Sequence, residues 1–107
     1  MKPLVISVGI VAFNEEKCIG ELLGLLLEQD YQKSNTELLL INSMSTDSTK
    51  DIFIEFKEEN ESADKSIKII DNKGKIQASG WNEAIRNFSG EALIRLDAHA
   101  RIEKDFI

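Results

Sequence analysis

Two side chains near the end of the chain have the types and spacing of a metal site. Asp97 and His99 sit in Ala92–Ala100, ALIRLDAHA, directly after an apolar run. The run, Ala92-Leu93-Ile94-Arg95-Leu96, reads as a buried strand. In extended chain, residues i and i+2 point the same way. Asp97 and His99 can therefore present a carboxylate and an imidazole side by side, just past a strand's carboxyl end. In open α/β sheets that edge is where ligands bind. An Asp-x-His pair there can form half of a site for a divalent cation carrying a phosphorylated ligand. The competing reading of His99 is a helix-capping or surface histidine.

The rest of the chain must position that pair. With 107 residues it is long enough for one small domain around one core. Apolar residues make up 42% and charged residues 30%, a soluble globular balance rather than a disordered one. A net charge of −6 argues against non-specific binding to nucleic acid. It also means that a polyanionic ligand needs local neutralisation, which a bound cation supplies. Cys18 is the only cysteine, so no disulfide framework is expected and a reducing compartment is the simplest setting. No apolar run is long enough to span a bilayer, and the start of the chain lacks a signal-peptide pattern.

Four strands alternate with three helices. Leu4–Val11 is rich in β-branched residues and nearly continuously apolar, as a central parallel strand would be. Asn14 is placed to cap the helix that follows, with Glu15 and Glu16 in its first turn and a stripe at Ile19, Leu22, Leu23, Leu26 and Leu27. Glu37–Asn42 is the second strand. Ser45 or Thr46 can cap the next helix, with Asp47 in its first turn; Ile52, Phe53 and Phe56 give it an apolar face. At the second strand's carboxyl end, Asn42 and Ser43 can face a base or ribose. Lys57–Lys65 reads as a helix end and loop. Ser66–Ile70 is a short third strand, and Asp71–Lys75 is a turn whose lysines, Lys73 and Lys75, can meet phosphate oxygens or water. A third helix begins near Ala78 or Ser79. Its stripe is Trp81, Ala84, Ile85 and Phe88, so Trp81 reads as packing rather than as a base platform. Gly90 is placed to end that helix, and Ile102–Ile107 reads as the start of a further helix or loop.

The alternation predicts an α/β fold: a Rossmann-like parallel sheet with helices on both faces and right-handed crossovers. Several chemistries are excluded by motif. Neither a G-x-G-x-x-G fingerprint nor a P-loop follows the first strand, and there is no G-x-S-x-G elbow. Two alternatives to a cation-and-phosphate site can be weighed. A nucleotidyltransferase usually carries a Gly-rich, basic first turn, which Val11-Ala12-Phe13-Asn14 is not. A receiver-like, non-catalytic α/β module would need a Lys soon after Leu96, and would leave Asp97 and His99 unexplained.

Four segments, VGIVAFNEE, LLLINSMSTDST, IIDNKGKIQASGWNEAI and GEALIRLDAHARIEKDFI, in this order, resemble the N-terminal half of a family 2 glycosyltransferase of the GT-A fold. They are most similar to the succinoglycan-biosynthesis type, where the usual Asp-x-Asp is written Asp-Ala-His-Ala. The resemblance covers almost the whole chain, so residues 1–107 are expected to be the nucleotide-sugar-binding part of one such domain, cut off after the Asp-x-His motif.

The resemblance implies roles residue by residue. Phe13 lies where an aromatic ring packs on the base, beside Ala12, where many members have proline. Glu15 matches the family's acidic residue after the first strand. Asn42 and Ser43 stand where two carboxylates are usual, and Ser43 can still bond a base. Lys75, more than Lys73, can assist at the diphosphate. Asp97 matches the Asp that contacts ribose or metal, and His99 the metal ligand. Imidazole is softer than carboxylate, so Mn²⁺ is favoured over Mg²⁺. The implied reaction moves a sugar from a nucleotide-diphospho-sugar, a UDP-sugar by analogy, to a polysaccharide or lipid-linked acceptor in bacterial polysaccharide biosynthesis, in the cytoplasm at the inner face of the membrane. The general base and most of the acceptor site are expected after the Asp-x-His motif, so this chain alone is expected to bind nucleotide with little or no transfer. The fourth strand is expected to be left as an exposed edge, which favours a homo-oligomer.

Overall fold

The structure, a computed structural model, describes residues 5–28, 36–61 and 66–98. His99 and the stretches 62–65 and 102–107 lie outside the described residues, and with them the sequence readings made there.

Seven elements alternate along the chain: β1 (Ile6–Ala12), α1 (Ile19–Leu27), β2 (Thr36–Asn42), α2 (Thr49–Asn60), β3 (Ser66–Asp71), α3 (Gln77–Asn87) and β4 (Ala92–Asp97). All strand pairs are parallel, and the sheet order is β3-β2-β1-β4. The two central strands, β1 and β2, are buried along almost their whole length, which is why they read as continuous apolar runs rather than alternating ones. Strand alternation then divides the core in two. Val8, Ile10, Leu38, Leu40, Ile67 and Leu96 face α1 and α2, where Leu22, Leu23, Leu26, Phe53 and Phe56 cover them. Val11, Leu39 and Ile41 face α3, where Trp81 and Ala84 cover them.

This is the doubly covered parallel sheet that the alternation predicts. The order has one consequence for the site. From β1 the chain runs outward through β2 to β3, then returns to place β4 on the other side of β1. The direction of winding reverses between β1 and β4, and a crevice opens at the carboxyl ends of strands at such a point. β4 pairs with β1 alone among the described strands.

Four local expectations are corrected. Asn14 does not cap α1, which begins at Ile19; Asn14 instead adopts a left-handed φ of 51°. Neither Ser45 nor Thr46 caps α2, whose N-cap position is Ser48; Asp47, just before it, accepts at Oδ1 from the Thr49 backbone N–H at 2.9 Å and the Thr49 hydroxyl at 2.6 Å. Ile85 is 60% exposed and leaves the α3 stripe to Trp81, Ala84 and Phe88, because a single helix over this face covers only the sheet in front of it.

Gly90 is the fourth. α3 ends at Asn87, and no glycine among the described residues has a positive φ. Gly90 is required by close approach instead. A Cβ there would lie 2.5 Å from Ser7 Oγ, 2.8 Å from the Val5 carbonyl and 3.0 Å from the Ser7 nitrogen. Two of those atoms are backbone at the start of the central strand β1 and cannot yield. Gly90→Ala is expected to destabilise the fold by about 1–3 kcal/mol, read from the urea midpoint. An unchanged midpoint would contradict the steric account.

Candidate functional site

The crevice predicted by the sheet order is present as an open cleft of about 310 Å³ at the carboxyl ends of β1 and β4. Its wall is formed by Val11, Phe13, Glu15, Ser43, Lys75, Gln77, Asp97 and Ala98. Three loops contribute, and each contains one non-glycine residue with left-handed backbone: Asn14 after β1 (φ 51°), Met44 after β2 (φ 59°) and Lys75 after β3 (φ 66°). Asn tolerates that region; Met and Lys do so at a cost of about 1 kcal/mol. Strain gathered at one edge of a sheet is a mark of a working site.

The loop after β1 is held by the loop after β2 through a lattice of side chain–backbone bonds. Asn14 Oδ1 accepts from the Thr46 N–H at 2.8 Å and the Asp47 N–H at 3.3 Å. Asn14 N–H donates to Ser45 Oγ at 3.0 Å, and Glu15 N–H to Thr49 Oγ1 at 2.8 Å. Glu16 N–H donates to Asp47 Oδ2 at 3.3 Å, and Glu16 Oε2 accepts from the Ser48 N–H at 3.3 Å. Slight desolvation pushes the Asp47 carboxyl up, but the bonds from Thr49 and from the Glu16 backbone outweigh it and hold it below its ordinary value. The Ser/Thr/Asp segment thus does more than start a helix. It fixes the backbone that carries Phe13 and Glu15.

Phe13 is 52% exposed although it follows a strand buried along almost its whole length. A large ring left open on a cleft wall is available for stacking. Asp97 is exposed and points, like Val11 beside it in the register, to the α3 side of the sheet. Five of the residues singled out in the sequence therefore meet on one wall: Phe13, Glu15, Ser43, Lys75 and Asp97. Two do not. Ala12 is buried in the core facing α1 and α2. Asn42 is buried, and its Oδ1 accepts from the Ser45 N–H at 3.1 Å, so it shapes the loop rather than lining the cleft. Val11, Gln77 and Ala98 join the wall without having been singled out. Nothing in their types marked them; only the meeting of the loops does.

Trp81 is core, as the stripe implies. Its ring lies against Gly9 and carries the Arg95 guanidinium 4.6 Å from its centroid.

The donor set suits a hard divalent cation. Asp97 and Glu15 bring two carboxylates to one cleft, and Mg²⁺ or Mn²⁺ is commonly held by one or two carboxylates with phosphate oxygens and water completing the shell. Among the described residues no cluster of three or more His, Cys, Asp or Glu side chains assembles that could hold a metal ion, so a cation here would need further ligands from what it binds or from elsewhere. Among them, too, no helix is long and apolar enough to cross a membrane.

The family model described as "Glycosyl transferase family 2" matches residues 7–107. The chain belongs to glycosyl transferase family 2. A relative from Methanococcus voltae, "Dolichyl N-acetyl-alpha-D-glucosaminyl phosphate 3-beta-D-2,3-diacetamido-2,3-dideoxy-beta-D-glucuronosyltransferase", is 39% identical over 95% of this chain and 31% of its own length. The poly-beta-1,6-N-acetyl-D-glucosamine synthase of Staphylococcus epidermidis is 32% identical over 94% of this chain and 23% of its own length. Among solved structures, a Pyrobaculum calidifontis mannosyltransferase in complex with GDP-Man and Mn²⁺ superposes with a TM-score of 0.83 at 27% identity, over 92% of this chain and 28% of that one. S. aureus TarS in complex with UDP superposes at 0.76 with 26% identity, over 94% of this chain and 29% of that one. The fold is the GT-A glycosyltransferase fold. The chain spans less than a third of the length of each of these relatives. Membership in this family displaces the receiver-like alternative.

Proposed function

We propose that this chain is the donor-binding part of a glycosyltransferase that transfers a sugar from a nucleotide-diphospho-sugar with the help of a divalent cation. One observation carries the reading: the cleft at the β1/β4 reversal gathers an exposed ring, a hydroxyl, a lysine and two carboxylates on one wall. A nucleoside diphosphate has three chemically distinct parts, and this wall has a counterpart for each. Phe13 stacks on the base. Ser43 hydrogen-bonds the base or ribose. Asp97 serves ribose or metal, with His99 as a further metal ligand, Glu15 as the second carboxylate in the cleft, and Lys75 directed to the diphosphate.

With a net charge of −6 and two carboxylates in the cleft, a cation beside Lys75 would offset the repulsion that a dianionic ligand meets there. When bound, such an ion would act as a Lewis acid on the diphosphate leaving group. Mn²⁺ is favoured over Mg²⁺ if His99 ligates. The GDP-Man and Mn²⁺ of the Pyrobaculum enzyme and the UDP of TarS support this class of donor. UDP is the first choice of nucleotide, with a saccharide or lipid-linked acceptor. The general base for the acceptor hydroxyl and most of the acceptor site are proposed to lie outside this chain.

The test is calorimetric titration of UDP, and separately of GDP, with and without Mn²⁺. Mn²⁺-dependent binding of one nucleotide is the expected result. Absence of binding by both, in a folded protein, would overturn the reading.

A further inference from the structure

Asn72 lies in the turn after β3 and is 1% exposed. Its amide Nδ2 donates to the Ile76 carbonyl at 2.8 Å and to Ser43 Oγ at 2.9 Å, while its Oδ1 accepts from Ser79 Oγ at 2.8 Å. The Ile76 contact decides which way the amide faces. A carbonyl oxygen only accepts, so the NH₂ end must meet it. One amide proton goes to Ile76 and the other to Ser43. Ser43 Oγ is therefore an acceptor toward Asn72.

A hydroxyl has one proton to give. Among the described residues the Ser43 hydroxyl donates it to nothing, although Ser43 is only 2% exposed and lines the cleft. What it offers to a ligand is its O–H.

The arrangement is built to stay so. Asn72 N–H donates to the Asn42 carbonyl at 2.7 Å, and its own carbonyl accepts from the Lys75 N–H at 3.1 Å. Two glycines make room for the side chain and its partner. A Cβ on Gly80 would lie 2.7 Å from Val11 Cγ1 and 3.1 Å from Asn72 Nδ2, and one on Gly74 would lie 2.5 Å from Ser79 Oγ. Turning the amide over would set its oxygen against the Ile76 carbonyl oxygen, two acceptors at the 2.8 Å now spanned by the Nδ2 bond. A ligand that used Ser43 only as an acceptor could take its second lone pair, but would leave the buried hydroxyl proton without a partner among the described residues.

We propose that Asn72 is a positioning residue that sets Ser43 as a hydrogen-bond donor toward the cleft, so that this position takes an accepting oxygen of the donor nucleotide in preference to an N–H. The inference rests on the nucleotide-binding reading above and adds a polarity to it. The accepting oxygen is a base carbonyl or a ribose hydroxyl, and the probes below separate the two.

The protein, Ser43→Ala and Asn72→Asp are titrated with UDP, with UDP analogues carrying sulfur in place of either base carbonyl oxygen, and with an analogue lacking the ribose 2′-hydroxyl, all with Mn²⁺. Sulfur is a poor acceptor, so one analogue is expected to bind about three- to tenfold more weakly than UDP, the size of one neutral hydrogen bond. In Ser43→Ala that ratio is expected to fall to about one. In Asn72→Asp the new carboxylate takes the Ser43 proton and turns lone pairs to the cleft. The same ratio is expected to vanish there, while Mn²⁺ dependence is retained. A loss that was merely structural would weaken all probes alike. If Asn72→Asp does not fold, Ser43→Ala alone decides.

Loss of discrimination against a thio analogue assigns the base; against the deoxy analogue, the ribose. If GDP is the nucleotide that binds, the corresponding thio and deoxy analogues of GDP are used. Equal ratios for wild type and Ser43→Ala would overturn this inference and leave the nucleotide reading standing. Binding of neither UDP nor GDP would overturn both.

Discussion

Asp97→Ala is expected to weaken Mn²⁺-dependent UDP binding at least about a hundredfold while leaving thermal stability nearly unchanged. The first half follows from position. Asp97 ends β4 at the reversal point, on the cleft wall with Glu15. Loss of groups that only orient metal ligands costs roughly 10–100-fold, so loss of Asp97 in its proposed role as a ligand should cost no less. The second half follows from exposure: Asp97 is exposed, and substitutions at such positions usually fall within about 0.5 kcal/mol. Titration and a melting curve on the same sample read both. Wild-type affinity in the variant would remove Asp97 from the site. A collapse of stability would mean that the carboxylate is structural.

The largest effect on stability is expected at the opposite end of the sheet. Glu37, at the start of β2, is 3% exposed. Its Oε1 accepts from Ser7 Oγ at 2.8 Å and from the Ser89 N–H at 2.8 Å. Its Oε2 accepts from Ser89 Oγ at 2.5 Å and pairs with Lys68 Nζ at 3.1 Å. The Gly90 N–H completes the cluster by donating to Ser7 Oγ at 3.0 Å. One carboxylate thus ties β1, β2, β3 and the α3–β4 connection. Glu37→Ala leaves several of these groups without a partner in a buried place. A loss of about 3 kcal/mol is expected, read as a fall in melting temperature of roughly 10–20 °C. Glu37→Gln keeps the shape and part of the acceptor capacity and should lose less. A fall of only a degree or two in Glu37→Ala would show that water replaces the carboxylate.

The same carboxylate sets a pH dependence. Burial pushes its pKa up, but the bonds from Ser89, Ser7 and Lys68 outweigh burial, and the value lies below the ordinary 4.5. A carboxyl with a lowered folded pKa stabilises the fold above the unfolded value, and that stabilisation is lost as pH falls through the folded one. Stability should therefore fall with acidification below about pH 4.5, and less steeply in Glu37→Gln.

Much of the fold was legible along the chain because the information is short-range. Buried parallel strands read as apolar runs, helices as stripes at spacings of three and four, and each element found in the structure begins within a few residues of its expected place. Asp97 was legible for the same reason: it is the first polar residue after an apolar run, so it lies at a strand's carboxyl end in any register. The resemblance to family 2 glycosyltransferases was carried by segments in order, and order too is a property of the chain.

What the tertiary structure alone decided are the meetings between distant segments. The order β3-β2-β1-β4 puts β4 beside β1, and only then do Phe13 and Asp97 share a cleft. Asn14 has the composition of a helix cap, yet its partners are Thr46 and Asp47, more than thirty residues away. Gly90 follows a helix, yet its reason is the backbone of Val5 and Ser7. Glu37 looks like a polar residue opening a strand, and Asn72 like an ordinary turn residue. Each is buried because other strands and loops close over it. A side chain's type states which bonds it can make; which of them it does make depends on what packing brings within about 3 Å, and no local spacing encodes that.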